Sequence, residues 1–356
     1  MVTGGYGNMA RGSGASISGG ERNRAVGSNA TISGGYGNLA GASSGGAFST
    51  VSGGVFNEAD GLEATVAGGR ENVATSHAAS IGGGFDNLAR GSFAHVGGGF
   101  GNVSDSYGTV GGGAYNVAGG ADNTVAGGRR NRAIGFSFSS VGGGFYNTAS
   151  HSYAVVSGGS DNEASGRFSM VPGGRLNEAF GEYSFAAGLK AKAEHAGSFV
   201  WADSVSVDKG SSANDEFNVY AGGGARIFSA SDGTTGVLLA PGGGSWTSVS
   251  DRDAKENFEP VDCVEVLDRI AAIPVSTWNY KAQDDSIRHM GPMAQDFYAA
   301  FGLGLGDRSI DTIDPDGVAL AAIQGLHSEN AALRGAVEAL SEELAALKAL
   351  VTSIDR

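Results

Sequence analysis

Ser250 and Lys255 stand five residues apart in the stretch Ser250-Asp251-Arg252-Asp253-Ala254-Lys255-Glu256-Asn257-Phe258. A serine hydroxyl attacks a carbonyl when a base takes its proton. A lysine can be that base without a histidine where burial favours its neutral form. The same residues also read as a helix start, with Ser250 or Asp251 as N-cap and acidic residues in the first turn. Spacing alone does not separate the two readings. Position does: the stretch is a seam between a repetitive, glycine-rich segment and an ordinary mixed segment that ends in a long helix.

A chain of 356 residues has room for two or more domains. Its 63 glycines and 6 prolines fit neither collagen nor a disordered linker, because the glycines come in spaced pairs. A net charge of −14 argues against a nucleic-acid or anionic-membrane surface. The single cysteine, Cys263, excludes an intrachain disulfide framework and offers no metal cluster. No apolar run approaches the ~20 residues of a membrane span. The chain opens in mid-repeat at Gly4-Gly5-Tyr6-Gly7-Asn8 without a signal peptide, as a fragment or a truncated reading frame would, and gives no support to Sec export.

Asparagines recur at 8, 23, 38, 57, 72, 87, 102, 116, 131, 147, 162 and 177, mostly 15 residues apart. A branched apolar residue stands six positions before each asparagine from Asn23 on, from Ile17 and Ile32 to Val156 and Val171. A glycine pair lies between, as in Val51-Ser52-Gly53-Gly54-Val55-Phe56-Asn57, and alanine nearly always follows by two, Ser104 excepted. Each unit reads as two short strands joined by tight turns, with the glycines and the asparagine supplying the positive φ. Small residues two before the branched one, such as Ala15, Ala79 and Ala154, put a narrow Ala/Val/Ile face inward. Such strands bury a core only by stacking coil on coil, which also lines the asparagines into a hydrogen-bonded ladder. Aromatics three before the branched residue (Phe48, Phe93, Tyr107, Phe138, Tyr153, Phe168) fall on a face that could meet another chain. The 19-residue interval holding Ser43-Ser44-Gly45-Gly46 predicts a bulged loop.

These units resemble the left-handed β-roll heads of trimeric autotransporter adhesins, the YadA-like roll, over about half the chain. Other glycine-rich folds fit less well. Calcium β-rolls need an aspartate in every unit, and only scattered ones such as Asp86, Asp122 and Asp161 occur. A phosphate-binding loop needs Gly-Lys-Ser or Gly-Lys-Thr, which is absent. Asp105, Asp122, Glu163 and Glu178 could form a glycosidase pair, but carboxylates meet by chance on an acidic surface.

From His195 the repeat dissolves. Residues 198–203, 216–221, 225–228 and 237–240 read as strands of a connector or stalk. After the seam, Val261 to Ile273 has helical spacing stopped by Pro274, and Val275-Ser276-Thr277-Trp278-Asn279-Tyr280 alternates like a strand. Ile287-Arg288-His289-Met290-Gly291-Pro292-Met293-Ala294-Gln295-Asp296-Phe297 enters a second helix. Ile323, Asn330, Val337, Leu344 and Val351 then recur every seven residues, interleaved with Leu326, Leu333, Leu340, Leu347 and Ile354. Five unbroken heptads predict a coiled coil rather than a helix packed on its own domain.

The Ser-Asp-x-x-x-Lys-Glu-Asn seam, the Trp-Asn-Tyr-Lys strand followed by His-Met-Gly-Pro-Met-Ala-Gln, and the terminal heptads occur in that order. Together they resemble the intramolecular chaperone of phage endosialidases and tail spikes, a family of self-cleaving serine–lysine peptidases, over about residues 247–356. The resemblance implies that this domain trimerises, assembles the β-structure upstream, and cuts itself off. It gives Ser250 as nucleophile and Lys255 as base, His289 and Gln295 as auxiliary residues, and no cofactor or metal. It places the cut at Ser250–Asp251, whereas attack by the Ser250 hydroxyl on the preceding carbonyl closes a five-membered ring and favours Val249–Ser250. The heptads by themselves, Leu at d and β-branched residues with Asn330 at a, lean towards dimers; the trimer rests on the resemblance.

The expectation is a mainly β chain: a trimeric left-handed parallel β-roll over 1–195, a β-connector over 196–246, a small α+β self-cleaving chaperone domain over 247–315 and a coiled coil over 316–356. Its partners would be two further copies and a host-surface glycan or receptor, with no nucleic acid and no membrane span. It would sit in a virion tail fibre or on a cell surface. Two alternatives differ in class: an uncleaved surface adhesin whose C-terminal domain only trimerises, and a glycan-degrading tail spike with its active site in the roll.

Overall fold

The computed structural model describes residues 1–42 and 45–354. The chain divides into two compact units, Met1–Val249 and Ser250–Arg356.

The first unit is a parallel β-solenoid. Two-residue strands from successive coils pair in register into a 14-stranded and a 15-stranded sheet. Ala59 pairs with Ala74 in one and Val66 with Ile81 in the other. A third row of single parallel bridges runs beside them, from Tyr6–Glu21 to Ser160–Arg175, and completes each coil. Register continues across the 19-residue interval, since Leu39 pairs with Glu58 and Thr31 with Thr50. Ser43 and Ser44 of the expected bulge lie outside the described residues. Both sheets run on past His195, through Phe199–Ala202, Lys209–Gly210 and Phe217–Tyr220. The sequence pattern thus ends before the sheets do, because longer strands there pair without needing the glycine turns. Ala225–Phe228, Gly236–Leu239 and Trp246–Ser248 then form a separate antiparallel sheet.

The solenoid core is as narrow as the sequence implies. Each regular coil contributes about one branched side chain and two small ones, as in Ala59, Ala64 and Val66, all fully buried. Full burial of each branched residue stabilises by roughly 1.5–3 kcal/mol, summed coil by coil.

The asparagines do form a ladder, and this corrects their expected backbone role. From Asn23 on they are buried, and none of them adopts positive φ in the turns. The left-handed residue is the one before each, such as Phe56 (φ 55°), Asp86 (φ 58°) and Tyr115 (φ 57°). A second left-handed position is the aromatic one, as at Phe93 (φ 59°) and Tyr153 (φ 60°). Each such non-glycine residue costs on the order of 1 kcal/mol or more, so the ladder and the core must hold the turn against its own preference. The aromatic side chains stay exposed and stack from coil to coil: Phe138–Tyr153 at 5.3 Å, Tyr153–Phe168 at 4.7 Å and Phe168–Tyr183 at 5.2 Å between ring centres.

In the second unit, α1 (Cys263–Ala272) starts where Asp262 accepts the N–H groups of Val264 and Glu265, and it stops at Ile273, before Pro274. Ser276–Trp278 pairs antiparallel with His289–Gly291, so this part of the expected second helix is a strand. The helix itself, α2 (Ala294–Phe301), begins after Pro292 and closes on Gly302 in the left-handed region. The long helix α3 runs from Ile313 to Ile354, with Pro315 in its first turn, where proline is tolerated. It packs on α1 near Gly325, where an added Cβ would come within 2.2 Å of the Cys263 carbonyl. Val318 and Ala322 are buried there, whereas the heptad leucines beyond are exposed, Leu340 at 64%. The start of α3 therefore packs on its own domain, and most of its heptad face is exposed. Among the described residues no helix is long and apolar enough to cross a membrane.

Candidate functional site

The seam is a short capped turn. Asp251 caps a short 3-10 turn, Arg252–Ala254, its Oδ1 accepting the Asp253 N–H at 3.0 Å. The turn closes with the Lys255 N–H donating to the Arg252 carbonyl at 3.1 Å. This reversal carries Lys255 back beside the start of the stretch, where its Nζ lies 2.6 Å from Ser250 Oγ and donates to it. A capped turn is thus the means by which two residues five apart come into hydrogen-bond reach. With lysine neutral, the same contact runs the other way, the hydroxyl giving its proton to nitrogen. Ser250 and Lys255 are both exposed in the single chain.

His289 and Gln295 make no hydrogen bond to this pair among the described residues. The His289 ring lies 4.8 Å from Trp278 and 5.6 Å from Tyr280, with Nε2 2.9 Å from Gln283 Oε1. Gln295 lies in the first turn of α2. Among the described residues the buried Trp278 Nε1 has no hydrogen-bond partner. Sequence reading marked the Trp278 strand and His289 separately; their cross-strand pairing, Trp278 with His289, had no local signal.

Of the carboxylates weighed as a glycosidase pair, Asp105 and Glu178 are held by basic side chains. Asp105 accepts a bidentate grip from Arg90, whose guanidinium holds its carboxyl below the usual range. Glu163 and Glu178 are register neighbours on one sheet, with Lys192 next in line and ion-paired to Glu178. Asn123 escaped the sequence reading. It is buried opposite the main ladder, donating to the Gly135 carbonyl at 2.8 Å and accepting from the Ser139 N–H at 2.7 Å. Its signal was a second glycine pair four residues upstream, Gly119-Gly120.

No curated protein matches the chain. Residues 250–302 match the family model of a peptidase family described as the chaperone of endosialidase, beginning at Ser250 and including Lys255, Trp278, His289 and Gln295. The molecule is a parallel β-solenoid followed by a segment similar to the endosialidase chaperone, the order of parts of a tail-spike- or adhesin-like protein that carries an intramolecular chaperone.

Proposed function

We propose that the chain is the precursor of a homotrimeric attachment protein, a tail fibre or spike or an adhesin-like surface protein, that matures by cutting itself once. The observation that carries this is the 2.6 Å contact of Lys255 Nζ with Ser250 Oγ at the first residues of the chaperone match. The exposed heptad face from Leu326 to Val351 brings the chains together. Assembly covers the seam, and desolvation then favours the neutral lysine needed to take the serine proton. Coupling the base to assembly ties the cut to completed folding.

In the direct route, Ser250 Oγ attacks the Val249 carbonyl carbon, its proton passes to Lys255, and the C–N bond breaks with the proton delivered to the Ser250 amine. Water hydrolyses the resulting ester, leaving a Val249 carboxylate and a free Ser250 hydroxyl. A cut at Ser250–Asp251 requires instead the serine of a neighbouring chain or a water molecule.

Denaturing electrophoresis of freshly expressed protein tests the proposal. The wild-type chain should yield fragments of roughly 250 and 106 residues, while Ser250→Ala and Lys255→Ala should each leave one long chain that still assembles. A wild-type trimer that stays full length sinks the cleavage. The reading as an uncleaved adhesin, favoured by the exposure of both side chains in the single chain, would then stand.

A further inference from the structure

The repeat is broken twice within a few coils, and the two breaks frame a notch. The asparagine step drops to 14 from Asn102 to Asn116 and rises to 16 from Asn131 to Asn147. Strand register absorbs both, Val96 pairing with Val110 and Val125 with Val141, so the differences fall in the turns. Tyr107, at the left-handed turn position, follows its asparagine by five where Phe93 follows by six and Phe138 by seven. The edge therefore recedes at Ser106 and swells at Phe136. Between them the coil carries Gly119-Gly120. Gly120 has φ +96°, and a Cβ there would lie 2.4 Å from the Gly135 carbonyl, so no side chain fills the floor.

The result is an open notch of about 650 Å³ walled by Arg90, Asp105, Ser106, Ile134 and Phe136. Phe136 is 87% exposed and, unlike the ladder aromatics, has no ring partner among the described residues. Arg90 and Asp105 form a fixed pair, Nη2 donating to Oδ2 at 3.1 Å and Nε to Oδ1, and the Gly120 N–H reaches Oδ2 at 3.4 Å. Both side chains remain partly open to solvent. In repeat proteins, insertions confined to one face commonly mark the binding face.

We propose that this notch binds one unit of a neutral saccharide, its C–H face on the Phe136 ring and adjacent hydroxyls on Arg90 and Asp105. A hexopyranose offers an apolar face together with hydroxyls that both donate and accept. The notch supplies an aromatic face, a donor fork and a carboxylate acceptor. An anionic ligand gains less, because the guanidinium is already neutralised and the chain carries a net charge of −14. A purely apolar ligand finds one exposed ring and no enclosed cavity. This deepens the attachment reading, yet its test is independent of cleavage.

Saturation-transfer NMR on the full chain, with methyl β-galactopyranoside, methyl α-glucopyranoside and N-acetylglucosamine as probes and N-acetylneuraminic acid as the anionic comparison, decides the matter. At least one neutral probe should receive saturation. Phe136→Ala and Asp105→Asn should each reduce it at least fivefold, whereas Phe138→Ala, in the stacked ladder, should not. Circular dichroism and heat resistance of Phe136→Ala should match wild type, since the ring is solvent-exposed. No saturation of any neutral probe, saturation of the acid alone, or an unchanged Phe136→Ala signal would each overturn the proposal. None of these outcomes alters the cleavage gel.

Discussion

Asn72 Oδ1 accepts the backbone N–H of Asn87, one coil further on, at 3.1 Å. Asn87 in turn gives its Nδ2 to the Gly83 carbonyl at 3.0 Å and the Gly99 carbonyl at 2.9 Å, while its own Oδ1 receives the Asn102 N–H at 3.0 Å. With its Nδ2 also 3.0 Å from Asn72 Oδ1, one amide serves three successive coils. Asn87→Ala should leave the buried Asn102 N–H without its partner and remove two part-buried bonds to glycine carbonyls, at a cost of about 1–3 kcal/mol. The measurement is the denaturant midpoint of the solenoid. A shift within error would show that the ladder is ornamental to stability.

The order of atoms at the seam makes a chemical prediction. N-terminal sequencing of the small fragment should read Asp251 first if a neighbouring serine or a water makes the cut, and Ser250 first if the five-membered route operates. The family resemblance favours Asp251; a fragment beginning at Ser250 would establish intrachain acyl transfer.

A further expectation concerns folding. Parallel pairing across coils is non-local and slow to form, and the heptad helix is what can register the chains. A chain ending at Ser250 and expressed alone should be aggregated or monomeric. The same residues released by cleavage should be trimeric and protease-resistant, because the refolding route has left with the chaperone. Leu333→Asn combined with Leu340→Asn should abolish both trimer and cut. Unaided assembly of the shortened chain would reduce the C-terminal segment to an anchor.

Charge on the sheet face sets a pH dependence. Burial first, and then the neighbouring Glu178 charge, push the Glu163 carboxyl up, with Lys192 opposing. A raised folded-state value means stability present below the unfolded carboxylate range and lost as pH rises through the folded value. Glu163→Gln should therefore resist denaturant better at pH 7, by a few tenths of a kcal/mol given its partial exposure, and the advantage should vanish below about pH 4. A difference that does not change with pH would refute the assignment.

The fold was legible wherever one residue type recurs at one register. Ile32, Val66 and their counterparts marked the core because each coil has room for a single branched side chain. Turn chemistry was read less well. Asparagine tolerates the left-handed region, so it was assigned there. In the structure its amide faces the interior, and bulky neighbours such as Phe56 and Tyr115 take the unfavourable backbone instead. The third bridge row escaped because its positions alternate freely between Tyr36, Val55, Arg70 and Ala114: a single bridge constrains backbone and leaves the side chain unspecified. At the seam, spacing alone left a capped turn and a serine–lysine pair both open, and the turn is what places Lys255 Nζ beside Ser250 Oγ. Tertiary neighbours such as Trp278 beside His289 depend on a chain reversal that no local pattern encodes.

The in-register stacking of nearly identical coils makes the solenoid a ruler. Adjacent parallel strands lie about 4.8 Å apart, so the 14 strands of one sheet span roughly 65 Å. Duplicating a 15-residue unit would extend reach by one strand spacing while leaving every contact type unchanged. Loss or gain of whole repeats therefore changes the length of both sheets in fixed increments. Length can then be tuned by recombination between repeats without any new side-chain chemistry.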